Sequence, residues 1–481
     1  MSLVEKRFSN RRNWIKSILE KNNEGNMGTK KLNVVKPNIL FLVIDSFRTD
    51  KFLGKNKSSL TPNLDHLISK GVFFEQMISS SDQTGTSIAS IFTGLFPCRK
   101  NLNEFTFSED DNTLLSNFKK FGYDIHGFLP DIDFFKILSK QMNDCHLYNL
   151  LDKKSWKKIH EGLGKEMLEN IPNSKNPWFY YVHVMDIRNP YDVPEKFLGK
   201  KYGETNYDKI VSSLDEFFGE ISDKIDFSDT MVVITSDHGD YIPASSKFSK
   251  ESTKLEKIIS EKTKSNSFLD KIGRKAIMNM RFASQTYQKE KLKHELTPYQ
   301  IRSLNSRAQI HLYDELVRVP FLLIGPGISK KPSIDQLVRH VDILPTLLDF
   351  VGNNLEDKID GVSFLNMLKD KFDKKEIFAY IEVGINAGQL IGNKSFLPEV
   401  IGIRTQNFKY YRHRIDKKKY VHLYNLKNDP LEKENIASSN LEKICEFEII
   451  LSKLLENNNT QNISPKNKED AIELLKKLGY V

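Results

Sequence analysis

At 481 residues the chain could hold about three average domains, although large α/β folds often use this length as one domain with an appendage. With 39% hydrophobic and 28% charged residues and a mean hydropathy of −0.46, it reads as a water-soluble globular chain with room for a sizeable core, and no membrane class is suggested. The net charge of +9 permits contact with anionic surfaces, polymers or esters, and Cys98, Cys145 and Cys445, far apart and without zinc-ribbon or redox spacing, read as reduced structural thiols.

Residues 1–36 read as a basic helix followed by an Asn/Gly linker at Asn22–Asn26, outside the core. This stretch lacks the apolar run of roughly 7 to 15 residues that a signal peptide needs, so a cytoplasmic location is expected. Next, Ile39–Ile44 has the composition of a strand buried on both faces, and it ends in Asp45. That carboxylate is either a ligand delivered at a strand's carboxyl end or the N-cap of a following helix. Thr61-Pro62 opens a helix, with Thr61 as N-cap, Pro62 in the first turn, and Asp65 and His66 on the surface. After a strand-like Gly71–Phe74, the polar loop from Ser79 runs into a short helix closed by Gly94 and Pro97. Hydroxyls crowd the start of that helix, where free backbone N–H groups and the positive dipole end could stabilise an alkoxide and hold an anionic ester. Simple capping by Thr84, Thr86 or Ser87 is the alternative.

Strand and helix patterns alternate through 104–176 without a ligand cluster, and His126 reads as packing or surface. The aromatic strand from Trp178 then enters a loop carrying His183, Asp186 and Arg188. These three could orient and neutralise an oxyanion, or Asp186 and Arg188 could form a surface pair while His183 packs among aromatics. A second fully apolar strand, Met231–Ile234, ends in Asp237-His238-Gly239-Asp240. Carboxylate and imidazole together suit a divalent cation or an acid/base pair, and Gly239 reads as a position needing a backbone conformation closed to other residues; a polar loop with Asp237 as N-cap is the alternative.

Residues 244–307 change composition, with roughly two basic residues per acidic one, and read as an insertion. Within it Phe268–Gln288 could form a basic amphipathic helix through Leu269, Ile272, Ala276, Ile277 and Met280. That helix suits an anionic surface, a membrane or an acidic substrate, or belongs to a solvated hairpin on the core. The α/β pattern resumes at His311–Gly327, and Leu337–Leu348 reads as a helix.

Taken in order, Asn38–Asp45, Thr61–Asp65, Thr93–Pro97, Ser236–Gly239, His340–Thr346, Asp360-Gly361 and Leu423–Pro430 resemble the sulfatase family of the alkaline phosphatase-like superfamily, from Pro37 to about Ala437. The resemblance implies an α/β fold: a catalytic domain over 37–375, with helices on both sides of a mixed sheet, and a small antiparallel α+β subdomain over 376–481. The latter's strands are expected near Phe378–Ile381, Gly402–Thr405 and Lys409–Arg412, before a closing helix.

By position the resemblance puts the nucleophile at Thr84. The family's C/S-x-P-S-R pattern, which is oxidised to formylglycine, reads Thr84-Gly85-Thr86-Ser87-Ile88 here, and threonine cannot yield formylglycine by that route. Cys98 lies outside the pattern. Thr84 is similar instead to the unmodified threonine of the superfamily's phosphodiesterases and phosphoethanolamine or glycerophosphate transferases. The implied metal ligands are Asp45, Thr84, Asp237 and His238, with Ser46 standing where the family has a second aspartate. The imidazole favours zinc or manganese as the one divalent ion and leaves calcium and magnesium open. Arg188 stands where relatives often have a second histidine; it could clamp an anionic oxygen, so a general-acid role falls to His183 or His311. The expected activity is metal-dependent hydrolysis or transfer of a phosphate or sulfate ester through Thr84, with phosphoesters favoured. The alternatives are a sulfuric ester hydrolase without formylglycine and a non-catalytic metal-containing binding protein. The expected partners are an anionic ester and, through the basic insertion, an anionic surface or polymer; no specific nucleic acid is expected.

Overall fold

The computed structural model describes residues 36–55, 57–149, 158–188, 191–242, 302, 310–331, 333–353, 355, 357–369, 377–384 and 398–456. The expected N-terminal helix and linker, except Lys36, and the expected insertion, except Arg302, lie outside the described residues.

Eight strands form the main sheet: β1 (Asn38–Ile44), β2 (Val72–Ile78), β3 (Asp124–Pro130), β4 (Asp144–Tyr148), β5 (Trp178–Val184), β6 (Thr230–Thr235), β7 (Arg318–Ile324) and β8 (Ile334–Arg339), in the order β4-β3-β5-β1-β6-β7-β2-β8. The sheet is mixed, as expected: β7 runs antiparallel to both β6 and β2, while the other pairings are parallel. Successive side chains of β1 point to opposite faces. Ile39, Phe41 and Val43 join one core cluster, and Leu40, Leu42 and Ile44 join the other, so one strand serves two layers and must be apolar throughout.

The first face is covered by α2 (Thr84–Thr93) and α4 (Ile343–Phe350), and the opposite face by α1 (Pro62–Lys70) and α3 (Asn206–Lys224). Gly94, left-handed at φ 67°, ends α2 as expected. The segment Leu337–Leu348 corrects the sequence reading. Leu337–Arg339 is the end of β8, paired in parallel with Gln76–Ile78, and the helix starts only at Ile343. Pro345 explains the late start, because its missing N–H and fixed φ are tolerated in a first turn and not in a helix interior. Among the described residues no helix is long and apolar enough to cross a membrane.

A second sheet, β12-β11-β10-β9, is built from β9 (Phe378–Glu382), β10 (Val400–Thr405), β11 (Phe408–His413) and β12 (His422–Asn425) and is antiparallel throughout. Tyr380, Ile401, Ile403 and Tyr410 point toward α5 (Leu441–Glu456), where the Phe447 ring stacks on Tyr410 at 5.9 Å. The alternate residues Ala379, Ile381, Tyr411 and Tyr424 pack on Leu312, Leu316 and Val317 of the main domain.

Candidate active site

β1 and β6 are parallel neighbours with Val43 opposite Thr235, so two residues further on Asp45 comes beside Asp237. On the other side of β1, Val43 lies opposite His183 of β5. Side chains on one face alternate by two. Val43 and Phe41, Tyr181 and Phe179, and Val233 and Met231 all belong to the core cluster under α2, which puts Asp45, His183 and Asp237 on the α2 side of the sheet. The first residue of α2 is Thr84, preceded by Gln83 as N-cap with no side-chain capping bond. Thr84, Thr86 and Ser87 therefore lie inside the helix and not at its N-cap, and Thr84 Oγ1 meets the strand ends instead.

The hydroxyl lies 3.2 Å from Asp45 Oδ2 and 3.3 Å from His238 Nε2, and His238 Nε2 lies 3.4 Å from Asp237 Oδ2. Four expected ligands thus come together from three elements. Four donors arranged tetrahedrally at roughly 2.0–2.1 Å from a zinc-type ion would stand about 3.3–3.4 Å apart, close to these three spacings, and the ligand atoms of Asp45, Asp237 and His238 all lie within 4.8 Å of one another. Asp237 Oδ2 is buried with no hydrogen-bond partner among the described residues, and burial followed by the nearby Asp45 charge pushes the Asp237 pKa up to about 6. A cation would relieve both conditions, so the residues present fit a divalent metal. His238 Nδ1 lies 2.8 Å from the Gly239 carbonyl; a carbonyl only accepts, so the proton sits on Nδ1 and the Nε2 lone pair faces the donor set.

Gly239 is required for a reason other than the one read from sequence. Its backbone is not left-handed; an added Cβ would lie 2.0 Å from the Glu315 carbonyl oxygen, while the Gly239 N–H donates to Leu316 O at 2.8 Å. Close approach, not φ, excludes a side chain here.

His183 is fully buried. Its Nδ1 is 2.8 Å from the Tyr181 hydroxyl, the Phe135 ring centroid is 4.6 Å away, and its Nε2 has no hydrogen-bond partner among the described residues. Burial lowers its pKa, against the opposing pull of Asp237 and Asp45, and the charges of His238 and Arg188 lower it further. The imidazole is therefore neutral. Asp186 is not a surface residue: it is buried and accepts the Ile159 N–H at 2.9 Å. His311 stacks on Tyr313 at 5.1 Å, stands 5.3 Å from His422, and has its Nδ1 3.3 Å from the Tyr411 hydroxyl. These contacts gather it under the C-terminal sheet, and none of them is with the ligand group.

Three further residues shape the site: Ser46, marked in the sequence only as standing where the family has a second aspartate, His340, marked only as the start of a family motif, and Tyr181, which was not singled out. Ser46 donates its hydroxyl to Asp45 Oδ1 and its N–H to Asp237 Oδ1 at 3.1 Å. Tyr181 sits two residues before His183 on the same strand face, a period-two signal that could have found it. His340, fully buried, donates from Nε2 to Ser236 O at 3.1 Å, and burial pushes its pKa down to about 3.

The sulfatase family profile matches residues 37–353, and that of the N-sulphoglucosamine sulphohydrolase C-terminal region matches 308–461. The chain belongs to the sulfatase family. Within this family it is 29% identical to the ulvan-active sulfatase of Formosa agariphila over 150 residues, 26% of this chain and 29% of the relative. The matched stretches span less than a third of the curated relatives' own length. The sulfatase-family fold extends over nearly the whole chain. The phosphonate monoester hydrolase SpPMH from Silicibacter pomeroyi superposes with a TM-score of 0.60 at 14% identity, covering 89% of this chain and 97% of the other. A structure in complex with its substrate D-glucosamine-2-N,6-O-disulfate gives 0.59 at 16% identity, covering 88% and 99%.

Proposed function

We propose that this sulfatase-family chain is a metal-dependent ester hydrolase in which unmodified Thr84 is the nucleophile, acting on anionic esters and preferring phosphoesters to sulfate esters. The observation that carries the reading is the Thr84 hydroxyl, held at the start of α2 within 3.2 Å of Asp45 Oδ2 and 3.3 Å of His238 Nε2. A divalent ion held by Asp45, Thr84, Asp237 and His238, zinc or manganese by the character of the imidazole, supplies Lewis acidity that lowers the hydroxyl pKa and offsets the ester's charge.

The remaining steps belong to the side chains. Thr84 Oγ1 gives up its proton to solvent water as it bonds to the phosphorus and the bond to the leaving oxygen breaks, and that oxygen takes a proton from water in turn. The free N–H groups in the first turn of α2 hold the non-bridging oxygens, and Arg188 pairs with the anion from the loop after β5. His183 offers a neutral Nε2–H to an ester oxygen. Water, or an alcohol acceptor in a transferase, then attacks the threonyl ester and releases Thr84. The phosphoester preference rests on the resemblance of Thr84 to unmodified threonine nucleophiles and is supported by a phosphonate monoester hydrolase among the proteins of this fold.

Paired aryl phosphate, phosphodiester and aryl sulfate substrates test the proposal. Wild type should turn over a phosphoester faster than the sulfate. Thr84→Ala should lose at least about 10³-fold in kcat, as expected on removal of a covalent nucleophile, while keeping a substantial share of bound metal. Turnover that survives Thr84→Ala overturns the nucleophile. Bound metal with no turnover of any ester would point to the non-catalytic binding protein instead.

A further inference from the structure

Ser46 occupies the junction between the two metal-type carboxylates, and its backbone is left-handed at φ 65°, a conformation uncommon outside glycine. The turn is held from outside: the Tyr207 hydroxyl of α3 donates to Ser46 O at 2.8 Å, and Phe47 N donates to Ser236 Oγ at 2.9 Å. The bend aims both polar groups of Ser46 at carboxylate oxygens of the same kind. Its hydroxyl donates to Asp45 Oδ1, and its N–H donates to Asp237 Oδ1, which also accepts the His238 N–H at 2.8 Å. The other oxygen of each pair is left for the donor set: Asp45 Oδ2 faces Thr84 and Asp237 Oδ2 faces His238.

Ser46 thus engages one oxygen of each carboxylate and turns the other toward the donor set. Calcium takes about 6 to 8 oxygen ligands and commonly uses carboxylates in bidentate fashion, whereas zinc is satisfied by four donors at short range. We infer that Ser46 is a positioning residue that keeps Asp45 and Asp237 monodentate and thereby sets the site's choice of a small four-coordinate ion over calcium. The inference rests on the metal-site reading above and concerns this chain's own ligand oxygens, independently of which ester is cleaved.

Two substitutions suit the left-handed backbone. Ser46→Gly removes the hydroxyl without strain, and Ser46→Asp, a residue type tolerant of positive φ, adds a carboxylate. The full chain, stripped of metal, would be dialysed to equilibrium against Zn²⁺ or Ca²⁺ and the bound ion counted. Wild type should prefer zinc. Ser46→Gly should lower the zinc-to-calcium affinity ratio by about tenfold or more, the scale of effects from residues that orient metal ligands, and Ser46→Asp should lower it further. Ratios in both variants within about twofold of wild type, or a wild type that prefers calcium, would overturn the inference while leaving the metal site standing. A wild type that takes up neither ion overturns the metal-site reading itself. Turnover of esters by Thr84 is read separately and does not enter this comparison.

Discussion

Between Tyr181 and His183 runs a hydrogen bond on which the tautomer in the proposed mechanism depends. The Tyr181 hydroxyl is buried 2.8 Å from His183 Nδ1, and the proposal takes the hydroxyl as donor, which leaves the ring proton on Nε2. Tyr181→Phe deletes that donor and lets the ring take either tautomer. The expected outcome is a fall in kcat of about tenfold, with metal content and KM for an aryl phosphate little changed. A variant with wild-type kcat would show that the tautomer does not matter. At this scale the candidate ligands that the structure gathers were legible in the sequence, because Asp45, Asp237 and His238 each follow a fully apolar strand run and Thr84 heads a hydroxyl-rich helix start. Tyr181 was not, and Ser46 was marked only as replacing the family's second aspartate, without the role its contacts give it. A serine or tyrosine acquires such a role only through the partner it meets, and the left-handed turn at Ser46 has no composition signal, since glycine would be its usual mark.

Among the elements, α1 begins where the sequence put it, with Thr61 and Pro62 in their expected places, yet Thr61 makes no capping bond. The exposed N–H groups go to Asp215 of α3 instead: Leu64 N donates to Oδ1 at 2.8 Å and Asn63 N to Oδ2 at 3.1 Å. One carboxylate thus caps a helix far away in sequence and locks two helices together, a substitution of partners that local pattern cannot reveal. Asp215→Ala removes both acceptors, and the loss expected is about 2 kcal/mol, at the upper end for a helix cap because the acceptor is charged. Urea unfolding at constant m-value measures it, and a change under about 0.5 kcal/mol would mean that Thr61 or water takes over the cap. Strand β8 went unrecognised for a related reason. Leu337-Val338-Arg339 carries too few residues to separate a strand from a helix by period, and pairing with β2 settles the matter.

At the scale of the whole molecule, the two sheets are pinned by a buried ion cluster. Lys409 Nζ of β11 lies 2.5 Å from Asp314 Oδ1 and 2.8 Å from Glu432 Oε1, and Lys409 is fully buried. Burial alone would raise the Asp314 pKa, but the charges of Arg404, Lys409 and Arg318 outweigh it and hold the carboxyl well below its usual range. Lys409→Met takes the shared cation from two buried carboxylates, of which Asp314 keeps Arg404 at 3.2 Å, and should cost about 3 kcal/mol at pH 7, the lower end for a broken buried pair. The sign with pH follows from the depressed carboxyl: its stabilisation is complete above the unfolded value near 3.8 and is lost as pH falls below it, so the gap between variant and wild type should narrow in acid. A gap of constant size from pH 7 to pH 3, followed by denaturant unfolding, would assign the loss to packing. The doubly covered sheet and the smaller antiparallel one were both legible from apolar runs and motif order, whereas the contacts joining them depend on polar groups whose meeting no local pattern announces. The bond from Gly239 N to Leu316 O has a consequence of another kind. It ties the chain just after Asp237 and His238 to the chain just before β7, so the candidate metal floor and the turn into that strand shift together or not at all.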